Sequence, residues 1–345
     1  MPESATKRWS RRAVSIPSVL AATAVAVVGA PVLAPAAAGA DLARGRTELP
    51  TLRVYGFLTQ YLCNDSLEVL LAPLLWVRAR FGTGLGSVAS TARHQRLQDW
   101  SARVMADRAD RLLGLPVRMA AEDRAQLQPG PVIVLCRHVS LFDASLPGLI
   151  YEPLGYRVRG VIMAELLADP GFDLIYGRTG SVFIPRDDGP AAVGAVRQMA
   201  DGADERTALV IFPEGRLFRT GVRDRALTRL ADRDPERAAR LGSLTRVLPP
   251  RPGGFLALLD AAPTADVVLL DHRGLDDLDS LGRLLGRVPL RRPVTVTARR
   301  FERATIPTDR DERVRWLDQR WSELDRCLAD DLEQDADGPV PRLVE

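Results

Sequence analysis

Six short apolar runs, each bounded by turn-forming residues, constrain the fold of this chain more than any other feature of its sequence. Each run is long enough for one buried strand, and most connections between the runs are long enough for the crossover helix that parallel neighbours require. We therefore predict the α/β class, with a central, mostly parallel sheet flanked by helices. The predicted strands are residues 132–136, 158–163, 181–184, 208–212, 267–270 and 294–298.

Two helices frame this predicted sheet. A polar helix over residues 90–113 ends at Gly114 and Pro116, because glycine commonly ends a helix and proline cannot continue one. Near the end of the chain, Thr308 and Asp311 resemble a capping box that opens a second helix. Apolar residues recur in that helix at helical spacing, which predicts a core-packing stripe of Val314, Leu317, Trp321, Leu324 and Leu328.

The composition limits the class of function. Hydrophobic residues make up 46% of the 345 residues and charged residues 26%, so most of the chain is expected to fold. The net charge of +3, from 47 basic and 44 acidic residues, argues against a nucleic-acid partner. The three cysteines are far apart and form no CxxC pair, which indicates neither a disulfide framework nor a metal site and fits a reducing compartment.

The start of the chain predicts a membrane-associated segment. Residues 13–40 carry no charge and follow a basic run, which favours a retained anchor; the alternative is a signal peptide cleaved after Ala40. Pro17, Pro31 and Pro35 are expected to interrupt a helix in this stretch, so that it enters the bilayer without crossing it as one straight rod.

A second apolar stretch, residues 54–77, contains polar residues. Each acidic residue at a bilayer centre costs about 2.5 to 3.5 kcal/mol on insertion scales, so an interfacial amphipathic helix is favoured over a clean span. A core helix of the folded domain is the alternative. Basic residues flank both apolar stretches, so the positive-inside rule leaves the topology open. The polar residues are Gln60, Asn64, Asp65 and Glu68.

These observations divide the chain into three parts. Residues 1–80 form a membrane anchor and amphipathic helical segment, residues 81–333 the α/β domain, and residues 334–345 an acidic tail predicted to be disordered. Within the domain, residues 223–240 are rich in Arg and Asp. This run is interpreted as a solvated helix, with a phosphate-binding patch as the alternative.

A histidine and an aspartate five positions apart follow the first predicted strand. His138 and Asp143 stand at the carboxyl end of that strand, where open α/β sheets bind their ligands. The carboxylate can accept the imidazole N–H and so leave the other ring nitrogen to take a proton from a hydroxyl. The pair is a candidate catalytic base, and a structural histidine is the alternative for this spacing alone.

Arginines at two further strand ends are candidate anion ligands. Residues 212–216 read Phe-Pro-Glu-Gly-Arg, in which proline and glycine bend the backbone. Arg216 and Arg219 can then present guanidinium groups to an anionic headgroup. Arg186 emerges from the end of another strand. Each arginine alone is equally an exposed residue at a turn, but three such elements in order, all at strand ends, rarely coincide by chance.

In this order the elements resemble the motifs of the glycerolipid acyltransferases typified by 1-acylglycerol-3-phosphate acyltransferase. That family has an HxxxxD motif, a GxxFIxR-like strand and an FPEG motif, which correspond here to residues 138–143, 180–186 and 212–216. Residues 247–255 are similar to a further segment of the long-chain branch. The resemblance covers most of residues 130–330.

The resemblance implies transfer of a fatty acyl group from acyl-CoA or acyl carrier protein to 1-acyl-sn-glycerol-3-phosphate, in phosphatidic acid biosynthesis. No cofactor or metal is implied beyond the donor. The implied partners are the bilayer and a lysophospholipid, at the cell membrane, with the catalytic domain on the cytoplasmic face. His138 is then the general base and Asp143 its orienting carboxylate. The residues implied to bind the acceptor are Arg186, Glu214, Gly215, Arg216 and Arg219.

The chain departs from the family pattern at Arg137, where asparagine is usual, and at Leu217, where arginine is usual. Three alternatives therefore stay open: another lysophospholipid or a glycolipid as acceptor, a catalytically silent membrane-binding homologue, and a membrane-tethered lipid hydrolase. No GxSxG motif supports a hydrolase. His94 and His272 are interpreted as structural.

Overall fold

The computed structural model describes residues 4–140, 142–185, 189–276, 278–290 and 292–337. Its strands are β1 (Val117–Met119), β2 (Val132–Cys136), β3 (Arg157–Met163), β4 (Val182–Ile184), β5 (Thr207–Ile211), β6 (Asp266–Arg273) and β7 (Val294–Phe301). Its helices are α1 (Ala5–Val28), α2 (Ala30–Ala43), α3 (Pro50–Arg78), α4 (Val88–Arg108), α5 (Ala121–Ala125), α6 (Leu146–Tyr151), α7 (Pro170–Leu174), α8 (Gly189–Met199), α9 (Thr220–Ala231), α10 (Pro235–Leu241), α11 (Pro252–Ala261), α12 (Leu281–Arg287) and α13 (Arg310–Asp337).

The strands form one sheet in the order β1-β7-β6-β2-β5-β3-β4. Strands β6, β2, β5, β3 and β4 are parallel to one another, whereas β7 is antiparallel to β6 and parallel to β1. The prediction of a mostly parallel sheet flanked by helices is confirmed, and all six predicted strands are present. Strand β1 was missed because its three residues form too short a run to stand out from the sequence.

The two faces of the sheet carry separate cores, because alternate residues of a strand point to opposite sides. On the face that we call the α3 face, Val132 and Val134 pack with Val54 and Phe57 of α3. On the other, the α13 face, Ile133 and its neighbours pack with residues from α8, α10, α11 and α13. The N-terminal helix α3 and the helices α8, α10, α11 and α13 therefore lie on opposite sides of β2, whereas α12 packs on the α3 face through Leu284.

Helix α13 closes the α13 face with the predicted apolar stripe. Its cap is not the predicted capping box of Thr308 and Asp311: the Asp309 carboxylate accepts the backbone N–H groups of residues 311 and 312 at 3.0 and 2.9 Å. The helix also continues to Asp337, past the predicted start of the tail at residue 334, and residues 338–345 lie outside the described part. The buried residues of the stripe are Leu317, Trp321, Leu324 and Leu328.

Helices α1 and α2 both pack on α3 and together with it form a layer that we call the N-terminal helical layer. The expected interruptions at proline are only partly present. Helix α1 continues through Pro17 and ends before Gly29, and α2 contains Pro35 in its interior. Pro31 lies in the first turn of α2, where its missing N–H has no helical partner to lose.

Helix α3 buries its polar side chains and exposes its apolar ones. Asn64, Asp65, Ser66 and Glu68 are all buried, and the Asn64 amide lies 3.3 Å from the Ser101 carbonyl of α4. Large apolar residues of the same helix face outward: Leu58, Leu67, Leu70, Leu74 and Trp76. A helix in contact with water normally has the reverse arrangement.

Helix α1 is, within the described residues, the one helix that is long and apolar enough to cross a bilayer. Length and composition alone support this, and an N-terminal signal sequence meets the same criterion. Arg12 of α1 forms a bidentate ion pair with Asp173 of α7, at 2.6 and 3.0 Å, so the basic end of α1 is attached to the α/β domain.

Candidate active site

The predicted histidine–aspartate pair forms at the carboxyl end of β2. His138 Nδ1 lies 2.8 Å from Asp143 Oδ1, the distance of a hydrogen bond. Asp143 is fully buried, whereas the His138 side chain is 24% exposed. Because Nδ1 donates to a carboxylate, Nε2 is the nitrogen left to accept a proton from a bound molecule.

The second carboxylate oxygen of Asp143 is fixed by the backbone. Asp143 Oδ2 accepts the N–H groups of Val139 and Ser140 at 2.6 and 2.8 Å. With His138 on Oδ1, three donors hold the carboxylate in one orientation. The imidazole is therefore presented in a single tautomer and position.

Glu214 attaches the FPEG turn to this pair. Its two carboxylate oxygens accept the backbone N–H groups of His138, at 3.0 Å, and of Leu248, at 2.8 Å. Glu214 is buried, and burial raises its pKa to about 8, although the two N–H groups favour the ionised form. Both oxygens are thus directed into the protein, which indicates a positioning role; the predicted contact of Glu214 with the acceptor stays a prediction.

The FPEG turn brings arginines beside the histidine, because β2 and β5 are parallel neighbours and their carboxyl ends lie together. Gly215 adopts a left-handed conformation, φ +64°, and its N–H donates to the Phe212 carbonyl at 2.9 Å. The Arg251 side chain lies against Gly215, so that a Cβ at Gly215 would meet Arg251 Cζ at 3.5 Å. Arg216 follows directly, and two guanidinium groups therefore belong to this turn.

The sequence did not single out Arg251. It lies in residues 247–255, and its own backbone N–H donates to the Pro213 carbonyl of the FPEG turn at 2.8 Å. The other two arginines predicted to bind the acceptor are Arg219 and Arg186. Arg219 Nε pairs with Asp279 Oδ2 at 2.8 Å, with the arginine side chain 55% exposed. Arg186 lies outside the described residues, so its predicted role stays a prediction.

Arg137, the departure from the family pattern, is a buried cation behind the pair. Its side chain is 1% exposed, its Nη2 pairs with Asp276, and its Nε lies 3.8 Å from Asp271 Oδ1. Burial raises the pKa of Asp271 to about 6, and the guanidinium of Arg137 opposes this rise. Arg137, which follows β2, thus forms electrostatic interactions with Asp271 of β6 and with Asp276 just after that strand.

His272 was interpreted as structural, and it lies against the Asp143 carboxylate. Its Nε2 is 3.8 Å from Asp143 Oδ2, and neither ring nitrogen has a hydrogen-bond partner among the described residues. Burial, reinforced by the charge of Arg137, lowers its pKa to about 4. His272 is therefore neutral at pH 7 and adds no charge beside Asp143.

The nearby nucleophilic side chains are not arranged for covalent catalysis. Cys136 is buried, and burial raises the pKa of its thiol, which disfavours the reactive thiolate. Ser140 Oγ donates to the Leu278 carbonyl at 3.2 Å and accepts the Phe142 N–H at 3.1 Å. Neither Ser140 nor Cys136 is therefore placed as a nucleophile that His138 could activate.

Among the described residues no group of three or more His, Cys, Asp and Glu side chains is placed to hold a metal ion. Fold and site together define an open α/β protein with a hydrogen-bonded histidine–aspartate pair and an arginine-bearing turn at one sheet edge. A family model described as Acyltransferase matches residues 118–270, which include both motifs. No curated protein matches the chain.

The fold is similar to a crystal structure of the 1-acyl-sn-glycerophosphate (LPA) acyltransferase, PlsC, from Thermotoga maritima. The TM-score is 0.51 at 15% sequence identity, and the match covers 81% of this chain and 98% of that chain. The resemblance to the glycerolipid acyltransferases is thereby confirmed. Residues 118–270 match the Acyltransferase family model, in a chain whose fold is similar to that of PlsC.

Proposed function

We propose that this protein transfers a fatty acyl group from a thioester donor, acyl-CoA or acyl carrier protein, to the free hydroxyl of 1-acyl-sn-glycerol-3-phosphate. The observation that carries the proposal is the His138–Asp143 pair, whose carboxylate is held by three donors and whose outer ring nitrogen is left for a substrate. The similarity to a lysophosphatidate acyltransferase from Thermotoga maritima supports this acceptor.

The proposed reaction involves two proton transfers, one to His138 and one from it. His138 Nε2 takes the proton of the acceptor hydroxyl as its oxygen attacks the thioester carbonyl carbon, and Asp143 stabilises the resulting imidazolium. The C–S bond then breaks, the new ester forms, and the leaving thiolate takes the proton from His138. No acyl-enzyme is required, and the donor is the one co-substrate.

The FPEG turn is our candidate site for the acceptor's phosphate. Arg216 and Arg251 belong to this turn, and guanidinium groups bind phosphate with paired donors. Gly215 gives the turn a left-handed conformation that is strained for any residue with a side chain, and the Arg251 side chain lies against this glycine. Glu214 joins this turn to the backbone of His138, so the site for the phosphate is held in a fixed position relative to the base for the reacting hydroxyl.

A direct assay tests the acceptor and the reaction together. Membranes carrying the protein are supplied with labelled long-chain acyl-CoA and a panel of lysophospholipids, and labelled diacyl product is counted. We expect product from lysophosphatidate and much less from zwitterionic lysophospholipids, because these lack the doubly ionised phosphate that arginines favour. Absence of product with every acceptor, from folded and membrane-bound protein, would contradict the proposed function.

We also propose that the N-terminal helical layer lies in the membrane and places the site beside its lipid substrate, with the catalytic domain at the cytoplasmic face of the cell membrane. The exposed apolar side chains of α3 support this, and α1 and α2 add Val14, Val25, Val28, Val32, Leu33 and Leu42. Helix α3 also reaches the HxxxxD loop, since the rings of Phe57 and Phe142 lie 5.9 Å apart.

Charged substitutions on the exposed face of α3 test this location. We expect Leu70→Asp with Leu74→Asp to lower co-flotation with phospholipid vesicles at least ~10-fold, because each acid in the bilayer costs up to about 3 kcal/mol. Val117→Asp is the matched control, since Val117 is an exposed apolar residue of the edge strand β1. Equal flotation of the double variant and the control would contradict the proposed membrane role of α3.

A further inference from the structure

Helix α9 begins directly after the FPEG turn and presents a row of arginines to solvent. Residues 216–246 contain nine arginines and four acidic residues, in a chain whose charges otherwise nearly cancel. We propose that the outward side of α9 and of the turn after it, formed by Arg225, Arg229 and Arg233, docks an acidic carrier protein that bears the acyl thioester. This inference rests on the proposed acyltransferase function and names the donor that the site receives.

The three arginines of this row differ from Arg223, Arg237 and Arg240 of the same segment because their charges are not neutralised. Arg225, Arg229 and Arg233 are exposed and form no ion pair with the described residues. By contrast, Arg237 and Arg240 share Asp318, at 2.7 and 3.7 Å, and Arg223 pairs with Asp224 at 2.7 Å. Arginines with unneutralised charges thus lie along α9 and in the turn after it.

Their spacing makes the row a docking surface. Arg225 and Arg229 are four residues apart in α9 and so lie on one side of the helix, about 6 Å apart along its axis, and Arg233 lies in the turn that follows the helix. The opposite side of α9 packs through Leu227 and Leu230 on the core of the α13 face. The row is therefore held on a supported helix, with its arginines directed away from the protein.

The row is also connected to the catalytic histidine. The Phe218 N–H donates to the His138 carbonyl at 2.6 Å, and α9 starts two residues later at Thr220. A partner bound along α9 therefore lies within about 20 Å of the N-terminus of that helix, and this N-terminus is close to His138. A thioester on a flexible arm of that partner can reach the imidazole while the partner itself stays on α9.

Two other anionic partners fit this surface less well. The bilayer contacts proposed above lie on α1–α3, and α3 packs on the opposite face of the sheet from α9. Coenzyme A carries its phosphates on one small molecule, which needs a concave site, whereas an exposed row along a convex helix matches the side of an acidic helix. Charge complementarity of this kind mainly raises the rate of association and fixes orientation.

The test compares two donors on the full-length protein in vesicles containing lysophosphatidate. Wild type and the variant Arg225→Gln/Arg229→Gln/Arg233→Gln are assayed with acyl-CoA and with an acylated acidic carrier protein. We expect KM for the carrier donor to rise at least ~10-fold in the variant at low salt, with kcat and all acyl-CoA parameters within about twofold of wild type. The wild-type KM for the carrier should also rise with salt, and the variant's should not.

A charge-matched control removes three exposed arginines elsewhere: Arg118→Gln/Arg310→Gln/Arg315→Gln, which should leave both donors unaffected. The docking inference is overturned if the row variant uses the carrier donor as well as wild type does, if the control loses as much, or if both donors weaken equally. It is likewise overturned if wild type accepts acyl-CoA alone. If neither donor supports transfer, the proposed function itself is contradicted. Failure of the docking inference and failure of the proposed function therefore give different results.

Discussion

Replacing His138 by alanine is expected to lower kcat for acyl transfer at least ~100-fold, with little change in KM for the acceptor. A positioned general base contributes roughly 10² to 10⁴ in rate. The phosphate contacts that we assign to the FPEG turn remain in this variant. The measurement is steady-state transfer of labelled acyl groups to lysophosphatidate in vesicles.

Asp143→Asn gives the same prediction by a different route. Its amide has one acceptor oxygen, and Val139 and Ser140 offer two N–H groups to that side of the residue. The NH₂ group then faces His138 and donates to Nδ1, so the ring proton moves to Nε2 and the base is blocked. We expect a loss in kcat comparable to that of the alanine variant at His138.

His94→Gln separates catalysis from folding. His94 is fully buried in α4, with Nδ1 2.8 Å from the Ser90 carbonyl, and it lies outside the site. Its replacement should cost stability but leave the rate per folded molecule unchanged. A His138→Ala enzyme within tenfold of wild type, or a His94→Gln enzyme as slow as His138→Ala, would show that the pair is not the base.

The sequence was sufficient where the signal is local. Apolar runs located the buried strands, and the spacing of His138 and Asp143 was enough to predict a contact that the structure has at 2.8 Å. The order of motifs along the chain then indicated the family. The strand and contact predictions depend on residues that are near each other in sequence, and the family prediction depends on the order of three such local motifs along the chain.

What the sequence could not provide depends on partners that are distant along the chain. Glu214 stands in a motif and was assigned to the substrate, but its partners are backbone N–H groups, which no residue pattern reveals. The polar residues of α3 argued against a clean span, and only the packing with α4 and α7 shows that they face inward. Arg137 was recognised as a departure, although its partner Asp276 lies 139 positions later.

Arg137 also carries the largest expected effect on stability. We expect Arg137→Met to lower the free energy of unfolding by about 3 to 5 kcal/mol, because removing one member of a buried ion pair leaves its partner charged and unpaired. Most of this cost comes from Asp271, which is buried, since Asp276 is 44% exposed and keeps its hydration. Urea denaturation of the protein in detergent, followed by circular dichroism, gives the difference.

The asparagine that the family usually has at this position should not rescue the chain. Asparagine restores a polar group at residue 137 but not the positive charge, so Arg137→Asn is expected to be nearly as unstable as Arg137→Met. Arg118→Met, on the exposed edge strand β1, serves as the control for loss of an arginine and should change stability little. An Arg137→Asn protein as stable as wild type would mean that charge is not what the position requires.

The double variant Arg137→Met/Asp271→Leu decides whether the pair acts as a unit. Replacing both members of a buried ion pair by apolar residues is often neutral, whereas removing one is costly. We therefore expect the double variant to recover at least half of the stability lost in Arg137→Met, a coupling measured by the double-mutant cycle. Additive losses would place the cost of Arg137→Met in packing, and Arg137 would then be a space-filling residue with no electrostatic task behind His138.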